Sequence, residues 1–99
     1  MKTRELRVKY ATQESFYKKA FVKEDDNSTQ YLYSYYSLIV TNYGNALKFE
    51  ENLNLYTNTT LRHVREYLRQ IGRWDLAKLS KSQLFNKLEK TEYIILDIL

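Results

Sequence analysis

Apolar and polar residues alternate with a period of two along the N-terminal half of the chain. Leu6, Val8 and Tyr10 alternate with two basic residues, which is typical of a half-buried β-strand. Residues 16–24 alternate more loosely, which predicts a second strand with apolar side chains on both faces. One face would carry Phe16, Ala20 and Val22, and the other Tyr17 and Phe21.

Two turn signals divide the following segment into hairpins. Asp25-Asp26-Asn27-Ser28 is a cluster of turn formers, which predicts a hairpin onto a strand over Gln30–Tyr35. Tyr36–Tyr43 is rich in aromatic and β-branched residues and predicts another strand. Gly44-Asn45 then suits a two-residue type II′ turn, because glycine accepts the positive φ of the first turn position.

The second hairpin also has a predicted register. If Tyr43 faces Ala46 across the turn, then Val40 faces Phe49 and Asn42 faces Leu47. This pairing places Val40, Leu47 and Phe49 on one face, so the apolar pattern agrees with the turn.

Apolar spacing changes to three and four residues in the C-terminal half. Leu61, Val64, Leu68 and Ile71 predict an amphipathic helix that begins at a Thr57 or Asn58 N-cap and ends before Gly72. Ser80-Lys81-Ser82-Gln83 matches a capping box and predicts a second helix. Its inner face would carry Leu84, Phe85 and Leu88. The apolar tail, residues 93–99, fits either a continuation of this helix or a last strand.

These elements predict an α+β fold, in which a small antiparallel sheet of about four N-terminal strands packs against one or two C-terminal helices. Ninety-nine residues are enough for one domain and too few for two. We therefore expect a single domain over 1–99, mainly β over 1–56 and mainly α over 57–99.

Composition favours a cytoplasmic protein. The chain contains no cysteine, and small secreted domains usually depend on disulfides. The first residues lack the apolar segment of a signal peptide, and no apolar run approaches the roughly 20 residues of a membrane span. We therefore expect no membrane association.

Few residues are suited to catalysis. His63 is the only histidine, no cysteine is present, and the two glycines do not form a phosphate-binding loop. A solitary histidine at the flank of the apolar stripe of a helix is expected to pack on the sheet. The acidic cluster Glu24-Asp25-Asp26 lacks the spacing of a calcium loop and is expected to form a solvated hairpin tip. We expect a non-enzymatic protein without cofactor or metal.

Two groups of residues are candidates for binding. The first is basic: on a helical wheel Arg62, Arg65, Arg69 and Arg73 share one side of the predicted helix. Four arginines on one face could bind phosphates, with a log–log salt slope of about −3.6 for four contacts. Glu66 lies four residues after Arg62 on the same wheel and would neutralise part of this face. An ordinary solvated helix face is the alternative interpretation.

The second candidate group is aromatic. Tyr31, Tyr33 and Tyr35 alternate along one predicted strand and should share a sheet face. Such a face can form half of a core, or it can be an exposed platform for a protein partner or for stacked bases. Ten tyrosines exceed what one helix–sheet core needs, which favours an exposed binding surface, although an AT-rich genome would also enrich tyrosine.

The segment 56–72 resembles a motif of small uncharacterised proteins from phages and plasmids of low-GC Gram-positive bacteria. Their motif reads Tyr-[Ser/Thr]-x-Thr-Thr-x-Arg-His-[Ile/Val]-x-Glu-[Phe/Tyr]-Leu-x-Gln-x-Gly, and here it runs from Tyr56 to Gly72. The resemblance covers about residues 15–72 and implies a mobile-element context without implying an activity.

Small non-enzymatic phage proteins often occupy a host protein. The leading hypothesis is therefore a binding protein that occupies a host target, in its sharpest form an anti-CRISPR inhibitor of a CRISPR effector nuclease. The alternative is a nucleic-acid-binding accessory or regulatory protein that uses the basic helix face. A self-associating scaffold or virion component is a third interpretation, since the sequence does not determine the oligomeric state.

Overall fold

The sheet in the computed structural model is an antiparallel meander of six strands, in which each strand is bonded to its neighbours in chain order. The structure describes residues 2–7, 9, 19–50, 56–87 and 93–95. Within these residues, three helices lie between the last two strands. The strands are β1 Lys2–Glu5, β2 Ala20–Glu24, β3 Gln30–Ser34, β4 Ser37–Asn42, β5 Ala46–Phe49 and β6 Tyr93–Ile95; the helices are α1 Asn58–Gln70, α2 Trp74–Ala77 and α3 Lys81–Lys87.

One face of the sheet is buried and the other is partly exposed. Val22, Leu32, Val40 and Phe49 lie opposite one another on four successive strands, and all four are buried. The buried apolar residues of α1 belong to the same cluster, as do Leu76 of α2 and Leu84 of α3. The helices therefore cover this face, which confirms the predicted α+β fold, with six strands rather than about four.

Both predicted helix boundaries are confirmed. Thr57 is the N-cap of α1, and its Oγ1 accepts a hydrogen bond of 3.1 Å from the Thr60 N–H. Gly72 follows the helix with a φ of 85°, the left-handed conformation that glycine adopts without strain. Ser80 and Gln83 exchange the two hydrogen bonds of a capping box before α3. The short α2 was not predicted.

The β4–β5 hairpin has the predicted register. Val40 pairs with Phe49 and Asn42 with Leu47, and the Tyr43 N–H donates to the Ala46 carbonyl. Gly44 has a φ of 90°, as the first position of a type II′ turn requires. The β2–β3 hairpin across residues 25–29 is also confirmed.

The predicted first strand is wrong in position. β1 ends at Glu5, and the Leu6 N–H donates the last bond, to the Ala20 carbonyl. Lys2, Thr3 and Arg4 are all exposed, because β1 is an edge strand, and an exposed strand has no apolar alternation to detect. Val8, Tyr10, Phe16 and Tyr17 lie outside the described residues.

The tail also differs from the expected division, in which residues 57–99 are mainly α. Residues 93–95 form β6, which pairs antiparallel with β5, so this part of the tail is a strand and not a helical extension. Leu88 and residues 96–99 lie outside the described part of the chain, as does the side chain of Phe85. In the part that the structure describes, no helix has the length and apolar character needed to cross a bilayer.

Candidate functional site

The connection between β3 and β4 is a two-residue turn built from Tyr35 and Tyr36. Ser34 pairs with Ser37, and the two tyrosines between them have φ values of 51° and 69°. Positive φ at both central positions is the pattern of a type I′ turn, which normally takes Asn-Gly because other L-residues are strained there by about 1–2 kcal/mol each. We call Tyr35 and Tyr36 the tyrosine turn.

The two rings of the tyrosine turn lie on opposite sides of the sheet. Tyr36 is 79% exposed, and its ring stacks on Phe21 at a centroid distance of 6.3 Å. Tyr35 is 48% exposed and packs against the ring of His63 on α1, 5.7 Å away. Tyr36 therefore extends the face that α1 leaves uncovered, whereas Tyr35 fills the edge of the helix–sheet interface.

Tyr36 borders an open groove of about 280 Å³ on the uncovered face. Phe21 and Tyr33 are paired across β2 and β3, opposite to the buried face, and both are half-buried. The Lys23 Nζ lies 4.7 Å above the centroid of the Tyr33 ring, which places a cation over an aromatic surface. We call this groove the aromatic groove; it is lined by Thr3, Phe21, Lys23, Tyr33 and Tyr36.

The predicted tyrosine platform is therefore only partly correct. Tyr31 and Tyr33 share the uncovered face, but Tyr35 does not, because β3 ends at Ser34 and the left-handed turn redirects the next side chain. Tyr31 is tied to the β2–β3 turn, since its hydroxyl donates to Asp25 Oδ2 at 3.0 Å. This hydrogen bond, with a smaller effect of burial, raises the pKa of Tyr31.

Asp25 organises the β2–β3 turn. Its Oδ1 accepts from the backbone N–H groups of Asn27 and Thr29 at 2.9 and 3.0 Å. Burial raises the pKa of the Asp25 carboxyl, but the hydrogen bonds from Thr29, Tyr31 and Asn27 outweigh it and the net pKa is lowered. Among the described residues, no group of three or more His, Cys, Asp and Glu is placed to hold a metal ion.

His63 is a packing residue, as the sequence predicted, although it lies deeper than a boundary position. It is fully buried, and its Nδ1 is 2.7 Å from Ser34 Oγ at the end of β3. Burial and the neighbouring Lys19 charge lower its pKa from 6.5 to about 4. The imidazole is therefore neutral at physiological pH and supports the strand end from which the tyrosine turn projects.

The arginine face differs from the helical-wheel prediction in two ways. Glu66 does not share it: this carboxylate is fully buried and accepts from the Lys9 N–H at 3.2 Å and from Gln70 Nε2 at 2.7 Å. Arg73 lies beyond the end of α1 and pairs with Asp75 at 3.0 Å. Three arginines remain on α1, and we call Arg62, Arg65 and Arg69 the arginine ridge.

Within the arginine ridge, Arg62 is exposed and the other two side chains are half-buried. The guanidinium carbon of Arg69 lies 5.9 Å from the ring centroid of Trp74, which is 50% exposed. The structure therefore shows two separate candidate surfaces, one aromatic at the β3–β4 end of the sheet and one basic along α1.

A family model described as "Family of unknown function (DUF8033)" matches residues 4–86, which covers both surfaces except for Thr3 of the aromatic groove. The chain belongs to this family. No curated protein and no solved structure matches the chain. The description of the DUF8033 family mentions neither phages nor plasmids, so the mobile-element context stays a prediction.

Sequence reasoning missed Tyr36, Phe21 and Lys23 as members of the aromatic site. The signal that could have identified them was the two-residue length of the β3–β4 turn. A strand that ends at Ser34 and another that begins at Ser37 leave two residues for the connection, and two bulky residues in such a turn must be left-handed and exposed.

Proposed function

We propose that this DUF8033 protein is a non-enzymatic binding protein that occupies a protein target of its host through the tyrosine turn and the aromatic groove. One observation carries the proposal: two tyrosines occupy left-handed positions that favour Asn-Gly, and one of them is almost fully exposed. A strained conformation that leaves an aromatic ring 79% exposed gains little from burial, since its contact in the fold is the stacking on Phe21. Strain of this kind is typical of ligand-contacting sites.

The chemistry of the site suits a protein partner. Aromatic residues are enriched at the centres of protein interfaces, and tyrosine supplies a large contact area with few rotatable bonds. Tyr36 offers such an anchor beside the aromatic groove, and Lys23 adds a charge at the rim. Charges on the uncovered face are mixed in sign, with Lys23 and Lys48 near Glu5 and Glu50, which favours a protein over a nucleic acid on this side.

Replacing Tyr36 with glycine should separate stability from binding. Glycine adopts the observed φ without strain, which offsets both its greater freedom in the unfolded chain and the loss of the ring contact with Phe21, so the free energy of unfolding should stay within about 1 kcal/mol of the wild type. Urea unfolding measures this change. The same variant should lose the host protein that the wild type retains when both are immobilised and exposed to lysate of the host bacterium, because the exposed ring is gone.

Tyr43→Ser is the matched control. Tyr43 is 47% exposed, but it lies at the β4–β5 turn, at the opposite end of the sheet. This variant should keep the host protein. Equal retention by wild type and Tyr36→Gly would refute the proposal, as would a wild type that retains nothing.

In its sharpest form the host target is a CRISPR effector nuclease. Support for this form comes from the resemblance to phage and plasmid proteins, and the aromatic site supplies a means of steric occupation. Addition of the wild type to a programmed effector should then block cleavage of its target DNA, and Tyr36→Gly should restore it. If the wild type retains a host protein and yet leaves cleavage by the effector undiminished, the host target is a protein other than the effector.

A further inference from the structure

From Arg62 onward, the exposed side of α1 is composed almost entirely of arginine. From Arg62 to the end of the helix, the residues that are not buried are Arg62, Arg65, Arg69 and Gln70. Gln70 is engaged with the carboxylate of Glu66 and with the backbone carbonyl of Arg7. From Arg62 to the end of α1, the non-buried residues thus include no acidic and no apolar side chain.

The surroundings reinforce its charge. Residues 57–87 contain seven Lys and Arg and two acidic residues, Glu66 and Asp75. Glu66 is buried against the backbone of Lys9, and Asp75 is paired with Arg73. Among the described residues, no ion pair is formed by Arg62 or Arg65. The three ridge arginines therefore place a line of positive charge along α1, with Arg62 exposed and Arg65 and Arg69 half-buried.

The three arginines lie three and four residues apart on one helix, so their spacing is fixed by the helix. A helix rises about 1.5 Å per residue, so the three arginines are distributed along roughly 10 Å of a straight axis. Guanidinium groups bind phosphate oxygens in a bidentate geometry that lysine cannot match. A protein interface would need an apolar centre, which the ridge lacks.

We propose that the arginine ridge binds the phosphate backbone of double-stranded DNA, independently of the protein target at the tyrosine turn. A straight rigid helix suits the regular line of phosphates along a duplex. Single-strand sites instead need successive aromatic rings on which bases stack. In the described residues the ridge adjoins one exposed aromatic ring, Trp74, and Arg69 already lies against it. Contacts to phosphates alone carry no sequence information, so binding is non-specific.

The salt dependence of binding measures the number of contacts. Titration of a labelled short duplex at about 50 to 200 mM salt should give a log–log slope of about −2.7 for three phosphate contacts, equivalent to a roughly 40-fold loss of affinity over this interval. This slope is smaller than the one expected for four arginines, because Arg73 is engaged with Asp75. Arg62→Ala should reduce the slope to about −1.8.

Arg73→Ala is the matched control, since it removes the same charge from an arginine outside the ridge. Its slope should stay at about −2.7. An equal effect of Arg73→Ala and Arg62→Ala would overturn the assignment to the ridge and indicate diffuse attraction by the net charge. No duplex binding at about 50 mM salt, or tighter binding of a single strand of the same sequence, would overturn it as well.

The variant Arg62→Ala/Arg65→Ala/Arg69→Ala distinguishes this proposal from the proposed function. It should lose the duplex and still retain the host protein through Tyr36. Loss of the host protein together with retained duplex binding would refute the ridge assignment and move the protein interface to α1.

Discussion

Replacement of Tyr67 with alanine should lower the free energy of unfolding by about 3–5 kcal/mol, the usual cost of truncating a buried aromatic side chain. Tyr67 is fully buried in α1, where it is among the largest side chains of the core. Small domains have total stabilities of about 5–15 kcal/mol, so this variant should be close to unfolding at ambient temperature. Urea unfolding at low temperature, followed by circular dichroism, measures the loss.

Tyr67→Phe separates the packing of the ring from the hydrogen bonds of its hydroxyl. The hydroxyl donates to Gln30 Oε1 at 2.6 Å and accepts from Asn42 Nδ2 at 3.0 Å, which joins α1 to β3 and β4. Burial raises the pKa of Tyr67 to about 12, so the hydroxyl stays protonated at neutral pH. Its removal should cost about 1–2 kcal/mol. A loss equal to that of Tyr67→Ala would contradict the expectation that packing dominates.

The helix–sheet scaffold was largely predictable because each of its elements carries a local signal. Thr57 and Gly72 mark the two ends of α1 through capping chemistry, and Gly44 accepts the positive φ of a type II′ turn. The β4–β5 register follows from that turn and from the apolar face that it aligns. Signals of this kind act within a few residues, so the sequence is sufficient to detect them.

The two candidate surfaces were harder to predict because they depend on contacts between distant residues. Glu66 occupies a helical-wheel position next to Arg62, yet the chain at Lys9 passes over it and buries it. That contact links residues 57 positions apart, so no local sequence pattern predicts it. The charge of the arginine ridge therefore depends on a segment that is remote in sequence.

The tyrosine turn was missed for a different reason. Alternation extended β3 to Tyr35 because tyrosine favours strands, whereas the hairpin requires a turn at Tyr35 and Tyr36. Local preference and tertiary structure disagree at these two residues. Such disagreements are expected at functional sites, which is why this turn, and not the well-predicted β4–β5 turn, is the proposed interface.

Acidification should destabilise the protein through His63. The folded state binds a proton at His63 only near pH 4, whereas the unfolded chain binds one near pH 6.5, because burial and the Lys19 charge disfavour the imidazolium. The unfolded state therefore holds more protons between these values, and stability falls as pH decreases through this window. Between about pH 7.5 and 5 the loss should be about 2 kcal/mol, measured by urea unfolding at each pH.

His63→Gln isolates this effect, since glutamine can still hydrogen-bond Ser34 and does not titrate. Protonation of carboxylates affects the wild type and His63→Gln equally. A difference between their slopes of unfolding free energy against pH is therefore due to His63. Parallel slopes would show that the imidazole is protonated as easily in the folded protein as in the unfolded chain. Because the folded imidazole is still neutral at pH 5, its contacts with Ser34 and the Tyr35 ring are kept, and retention of the host protein at this pH should equal that at pH 7.5.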